Sequence, residues 1–166
     1  MSPQKGQTLI EVLVALGIAV VVLTAMGTAV ISALNNAQFS KSQNLATHYA
    51  VEGMEVMRRI RDSDWTTFTG FSGDYCLPAN SSTITLRSGS PRPQCLPPNI
   101  PPSFVREVLI QQAFPQCVTN SLPPRPGARV VVSVFWTDGS CAAASPYCHV
   151  ARNESCFSNA TVVPSP

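Results

Sequence analysis

Charge is scarce in this chain of 166 residues, where Asp, Glu, Lys and Arg together make up 12%. With a formal net charge of +2, it lacks the basic footprint of a dedicated nucleic-acid binder. No proline lies between Pro3 and Pro78, so the strongest helix breaker is missing from the first part of the chain. No cysteine precedes Cys76, no Cys-x-x-Cys pair occurs, and there are only two histidines, His48 and His149. A zinc site is therefore not expected, and neither is any other metal or cofactor. There is no Gly-x-Ser-x-Gly setting for a nucleophilic serine and no phosphate-binding glycine loop. Neither histidine has a motif partner for acid–base work, so the reading is that of a non-enzyme with no catalytic residues.

What is present at the N-terminus is more specific. A short leader with one charge, Lys5, runs into Gly6-Gln7-Thr8-Leu9-Ile10-Glu11-Val12-Leu13-Val14-Ala15-Leu16, and no charged residue occurs from Val12 to Leu34. At about 1.5 Å per helical residue this run crosses a hydrocarbon core of roughly 30 Å. Glu11 stands alone at its start. An ionisable group within such a segment costs on the order of 2.5–3.5 kcal/mol at a helix centre and persists where it has a partner.

This order resembles the N-terminus of the type IV pilin and pseudopilin family, in which a prepilin peptidase cuts after a glycine, the new N-terminus is methylated, and the fifth mature residue is glutamate. The resemblance covers roughly the first 30 residues, the length of one membrane-spanning run and its flanks. It places the cut between Gly6 and Gln7, methylation at Gln7, where phenylalanine or methionine is commoner, and the assembly glutamate at Glu11. A secretory signal peptide is the bland alternative, but its apolar centre of about 7–15 residues ends at a small-residue cleavage site, and this run is longer. A plain single-pass anchor fits the hydropathy and leaves Glu11 unexplained.

Lys5 keeps the leader in the cytoplasm by the positive-inside tendency, which puts the N-terminus inside and the remainder outside the cytoplasmic membrane. Cys76, Cys95, Cys117, Cys141, Cys148 and Cys156 all follow the apolar run. An even count in an exported domain reads as disulfides, with fifteen complete pairings open. Outside the long helix roughly 100 residues remain, enough for one small core that such bridges would stabilise.

Helix-compatible sequence continues from Asn35 to Ser63, with Phe39, Ser42, Ala46, Tyr49, Gly53, Met57 and Ile60 on one face and Lys41, Gln43, Glu52, Glu55, Arg58 and Arg59 on the other. Glu55 and Arg59 stand at helical pairing distance. The pattern predicts one helix from Thr8 to Ser63, roughly 80 Å long. Gly17 and Gly27 are its weak points, since glycine costs about 1 kcal/mol in a helix against about 3 for proline. Asp62-Ser63-Asp64 reads as a turn, after which Trp65, Phe68 and Phe71 tuck the connection against the helix end.

From Pro78 to Pro126 the chain holds 11 of its 15 prolines, which argues against a continuous sheet there. Strands are predicted at 82–87, 104–112 and 128–137, the last closed by the hairpin signal Asp138-Gly139, with a return strand at 148–156. The tract from Val130 to Gly139 is also similar to the sheet strand and turn of minor pilins and type II secretion pseudopilins. The proline-rich 91–102 segment reads as a rigid surface loop rather than a partner-binding ligand. The sequons at Asn80, Asn153 and Asn159 are taken as chance matches in polar loops.

The expected fold class is α+β and pilin-like, a long N-terminal helix on a small antiparallel sheet with disulfide-stabilised loops. The domain order is a leader at 1–6, a transmembrane and assembly helix at 7–34, an amphipathic continuation at 35–63 and an extracytoplasmic β-rich domain at 64–166. The resemblance implies a structural subunit, a minor pilin or pseudopilin of a type IV filament or type II secretion-like system. Its implied partners are prepilin peptidase, other pilin or pseudopilin subunits, an inner-membrane assembly platform and, before assembly, membrane lipid. Nucleic acid stays open as a partner. The alternative is a membrane-anchored adhesion or DNA-binding module, for which Arg87, Arg92, Arg106, Arg125, Arg129 and Arg152 are the candidate basic residues. An anchored enzyme is the lesser rival and would need a cluster of titratable groups.

Overall fold

The computed structural model describes residues 7–87, Cys95, 98–118 and 126–159. Two compact units emerge, residues 1–41 and 42–166. Helix α1, Gln7–Ser63, is continuous over 57 residues, with no break at Gly17 or Gly27.

In the first unit the apolar side chains from Leu9 to Leu34 are exposed all round the helix, Leu23 reaching 68%. A helix apolar on every side is stable only in lipid or among other apolar helices. Two of its hydroxyls are satisfied internally: Thr24 Oγ1 donates to the Val20 and Val21 carbonyls at 3.0 and 2.9 Å, and Thr28 Oγ1 to that of Ala25 at 2.9 Å. Such back-bonding removes the cost of carrying a hydroxyl into an apolar medium.

The second unit has its own core. Ala46, Ala50, Met54 and Met57 on α1 pack against Val108, Ile110, Val130, Val132, Val134, Trp136 and Phe157 of a five-stranded antiparallel sheet. The strands are β1 Gly73–Cys76, β2 Thr85–Leu86, β3 Val105–Val118, β4 Pro126–Trp136 and β5 His149–Phe157, in the order β2-β1-β3-β4-β5. Gly53 marks the closest approach of helix and sheet, since a Cβ there would stand 2.9 Å from both the Arg106 and Val132 side chains. This is the α+β, pilin-like arrangement that the sequence implies.

Several local expectations give way. Glu55 pairs with Arg58, one residue short of Arg59, and the turn at 62–64 becomes the cap of a second helix, α2 Trp65–Thr69. Its N-cap, Asp64, accepts from the Thr66 and Thr67 N–H groups at 2.9 and 3.2 Å. Strand β1 was not predicted. Asp138-Gly139 does not form a tight hairpin, because the last β4–β5 pair is Trp136↔His149 and a longer loop intervenes.

Strand β3 runs through Pro115 despite the proline argument. The β3–β4 register jumps between Gln111 and Phe114 and again before Val118, with Ala113 at φ 52°. The ladder asks for no donor at Pro115, and an irregular stretch of this kind is where a sheet accepts proline.

The cysteines pair as Cys76–Cys95, Cys117–Cys156 and Cys141–Cys148. Cys117 on β3 and Cys156 on β5 lie 5.3 Å apart at Cα, although β4 runs between those strands, which would ordinarily stand about 9–10 Å apart. The bridge closes over β4 at Gly127, where an added Cβ would meet the Cys117 carbonyl at 2.5 Å and that of Phe157 at 2.7 Å.

Arg106 is fully buried on the helix-facing side of β3. Its guanidinium donates to three backbone carbonyls, those of Leu77, Tyr49 and Pro78, each at 3.0 Å. Glu52 stands 3.3 Å away and balances the charge. Burial pushes the guanidinium pKa down and Glu52 opposes this, yet arginine stays a cation.

Arg106→Met should destabilise the protein by about 3–5 kcal/mol, since three charge-assisted hydrogen bonds and the Glu52 pair are lost at once. Glu52→Gln should cost about 1 kcal/mol or less because Glu52 is partly exposed. Chemical denaturation of the two variants beside wild type checks the order. Gly127→Ala should cost about 1–3 kcal/mol by overpacking against backbone, read as a lower denaturation midpoint with the disulfides intact.

Candidate functional site

The residues that the sequence singles out are strung along one helix rather than gathered in a pocket. Gln7 opens α1, while Gly6 and the leader lie outside the described residues. Glu11 is one turn into the helix and exposed. It makes no hydrogen bond or ion pair among the described residues. Around it Leu9, Ile10, Val12, Leu13 and Val14 are all more than half exposed. One carboxylate is thus displayed on an apolar cylinder, and a single helix among the described residues, Leu9–Ser63, is long and apolar enough to cross a membrane.

The chemistry open to this surface is association. A carboxylate brought into low dielectric is tolerated when a cation meets it there. The chain itself offers none nearby in α1, whose first basic residue is Lys41. Cleavage before Gln7 would create an amine one helical turn away from Glu11, on this subunit and on every neighbour.

The arginines considered as a basic patch are dispersed by the fold. Arg106 is buried, and the Arg87 side chain, 7% exposed, lies against Asp74 and Glu107. Arg129 forms a fork with Glu154 through Nε and Nη2 at 2.5 and 2.7 Å and donates to Gln111 at 3.0 Å. The Glu154 carboxylate holds the Arg129 pKa above its usual value, and its own is lowered in return. Arg152 is exposed; Arg92 and Arg125 lie outside the described residues. Nucleic-acid recognition would need such charges clustered on one face.

His48 is exposed and meets the edge of the Tyr49 ring, centroids 6.1 Å apart. His149, which has no partner in sequence, finds one in space: Nε2 lies 2.7 Å from Asp138 Oδ2. Ser140 Oγ donates to the other oxygen of the same carboxylate at 2.6 Å. Serine and histidine thus both bond the aspartate and not each other, so the histidine is not placed to take a proton from the hydroxyl. The sequence signal was faint, a Trp136-x-Asp138 strand end and a Cys148-His149 pair brought together by the β4–β5 register.

Two shallow hollows of about 190 and 250 Å³ adjoin at the end of α1 and share Ile60, Ser63 and Ser82. The Ser63 hydroxyl is turned inward onto the Ile60 carbonyl at 2.9 Å and Thr67 onto Asp64. Convergent polar groups, the mark of a small-molecule site, are not displayed there.

No curated protein and no solved structure matches the chain. Residues 1–27 match the family model of the prokaryotic N-terminal methylation motif. The chain thus carries a type IV pilin-like prepilin motif, which implies processing by a prepilin peptidase and assembly with other pilin subunits.

Proposed function

We propose that this chain is a structural subunit, a minor pilin or pseudopilin, of a type IV filament or type II secretion-like system. The leader 1–6 is removed between Gly6 and Gln7, and Gln7 is then methylated. The segment 7–34 sits in the cytoplasmic membrane with its N-terminus inside, surrounded by lipid, until an inner-membrane assembly platform passes it into the polymer. Residues 35–63 continue the helix and 64–166 form the extracytoplasmic domain. The observation that carries this reading is Glu11, an exposed carboxylate with no ion pair among the described residues, inside the matched motif on a helix of exposed apolar side chains.

Glu11 serves assembly by pairing with the amine of Gln7 on a neighbouring subunit. In low dielectric each charge is costly alone, so their pairing selects one register between helices that are otherwise uniformly greasy. The burial and pairing of Arg87, Arg106 and Arg129 support a structural role over a DNA-binding one.

Gly6→Arg should block cleavage, so that intact mass retains the leader; a mature start at any residue other than Gln7 would reject the proposed processing. Glu11→Ala should insert and be cleaved like wild type, then fail to enter sheared filaments, because the unpaired partner amine costs several kcal/mol. Glu11→Asp should assemble partly. Wild-type incorporation of the alanine variant would remove Glu11 from the assembly mechanism.

A further inference from the structure

The loop between β4 and β5 brings four metal-ligating residues to one point. Ligand atoms of Asp138, Cys141, Cys148 and His149 all lie within 4.8 Å of one another. Asp138 Oδ2 is 2.7 Å from His149 Nε2, and Asp138 Oδ1 is 3.7 Å from Cys141 Sγ. With Cys141 and Cys148 bonded to each other, their sulfurs are poor ligands. As two thiolates they complete a Cys₂-His-Asp set.

We propose that this hairpin tip is a redox-gated site for a zinc-class divalent cation, closed by the Cys141–Cys148 disulfide and opened when that bridge is reduced.

Three features support it. The neck of the loop is held by the β4–β5 ladder, which pairs Trp136 with His149 independently of the bridge, so reduction leaves Asp138 and His149 together. Both are also oriented from behind. Ser140 holds Asp138 Oδ1 through its N–H at 2.9 Å and its hydroxyl at 2.6 Å, and Trp136 stacks on the His149 ring with centroids 5.3 Å apart. Outer groups of this kind fix ligand direction in metal sites.

The geometry needs modest adjustment. Zn–S bonds of about 2.3 Å and Zn–N bonds of about 2.0 Å place tetrahedral ligand atoms about 3.3–3.8 Å apart. The sulfurs must part to about 3.8 Å once their bond is cut, His149 Nε2 and Asp138 Oδ2 must part from 2.7 Å to about 3.3 Å, and the longer separations, up to 4.8 Å, close by about 1–1.5 Å. The cation takes the place between His149 Nε2 and Asp138 Oδ2. Borderline-soft ions suit two thiolates with an imidazole, whereas hard calcium or magnesium does not.

The balance is simple. A water-soluble phosphine and one water convert the disulfide into two thiols and a phosphine oxide, and the cation then displaces two thiol protons. The full chain, held in detergent, is treated with phosphine until alkylation mapping finds Cys141 and Cys148 free, then titrated with Co²⁺. The expected result is one equivalent bound with the d–d and thiolate charge-transfer bands of a tetrahedral site, displaced by Zn²⁺. The untreated protein should show no such bands, and neither should a Cys141→Ser/Cys148→Ser variant treated identically. Ser140→Ala, which only frees the carboxylate, should weaken Co²⁺ binding on the order of tenfold. His149→Ala should abolish the four-ligand spectrum.

Three results would overturn the proposal. One is the absence of tetrahedral bands once the two thiols are free. Another is equal binding by the double-serine or His149→Ala variant, which would place the metal on the other cysteines. The third is loss of the far-UV strand signal on reduction, since the ladder would then not hold the site.

Discussion

Arg106 joins two separate pieces of chain at one buried guanidinium: the α1 backbone at Tyr49 and the exit from β1 at Leu77 and Pro78. The Leu77 and Pro78 carbonyls lie outside the strands, just past the end of β1, while the Tyr49 carbonyl lies within α1 and accepts the guanidinium from the side. A buried polar group without a partner costs about 1–3 kcal/mol, and here one guanidinium reaches all three carbonyls. Lysine, a point charge on a flexible stem, lacks the planar fork to do so. Gly53 belongs to the same constraint, since a side chain there would occupy the space of the arginine stem. Asn99 extends it by donating to the Arg106 carbonyl and accepting from its N–H, at 2.9 and 2.7 Å.

The two units obey opposite solvent rules within one unbroken helix. From Leu9 to Leu34 the side chains are apolar on every face and need an apolar surrounding, whereas from Ala46 onward a single face is apolar and is already covered by the sheet. Sequence periodicity separates the two without a proline or a glycine pair to mark the change. The exposed first part leaves association with lipid or with other helices as its stable outcome, to which the proposed pairing of Glu11 would add selectivity. The second part forms a core from one helix face and five strands, with three disulfides across its loops and strand ends.

Much of the fold was legible because its signals are periodic or local. The helix followed from the absence of proline and the spacing of Ala46, Gly53 and Met57, although Ala50, Met54 and Val56, also buried, were not placed on that face. Strand β4 was plain in its run of valines. Strand β1 was missed because four residues with glycine at their head carry no alternating pattern, and they become a strand only by pairing with Glu107–Ile110. Strand β3 was cut short at Gln112 because proline is read as a break, while a bulged ladder can pass it.

The sequence by itself determined the ends of the functional argument. Gly6, Gln7 and Glu11 sit in a motif defined by residue type and spacing along the chain, and such relations survive without any knowledge of the rest of the chain. What only the tertiary structure decided is every relation between residues far apart: which cysteines pair, that Arg106 is a buried crossing point rather than part of a surface patch, and that His149 stands against Asp138. These depend on strand register, and a shift of one residue would turn each side chain to the opposite face of the sheet.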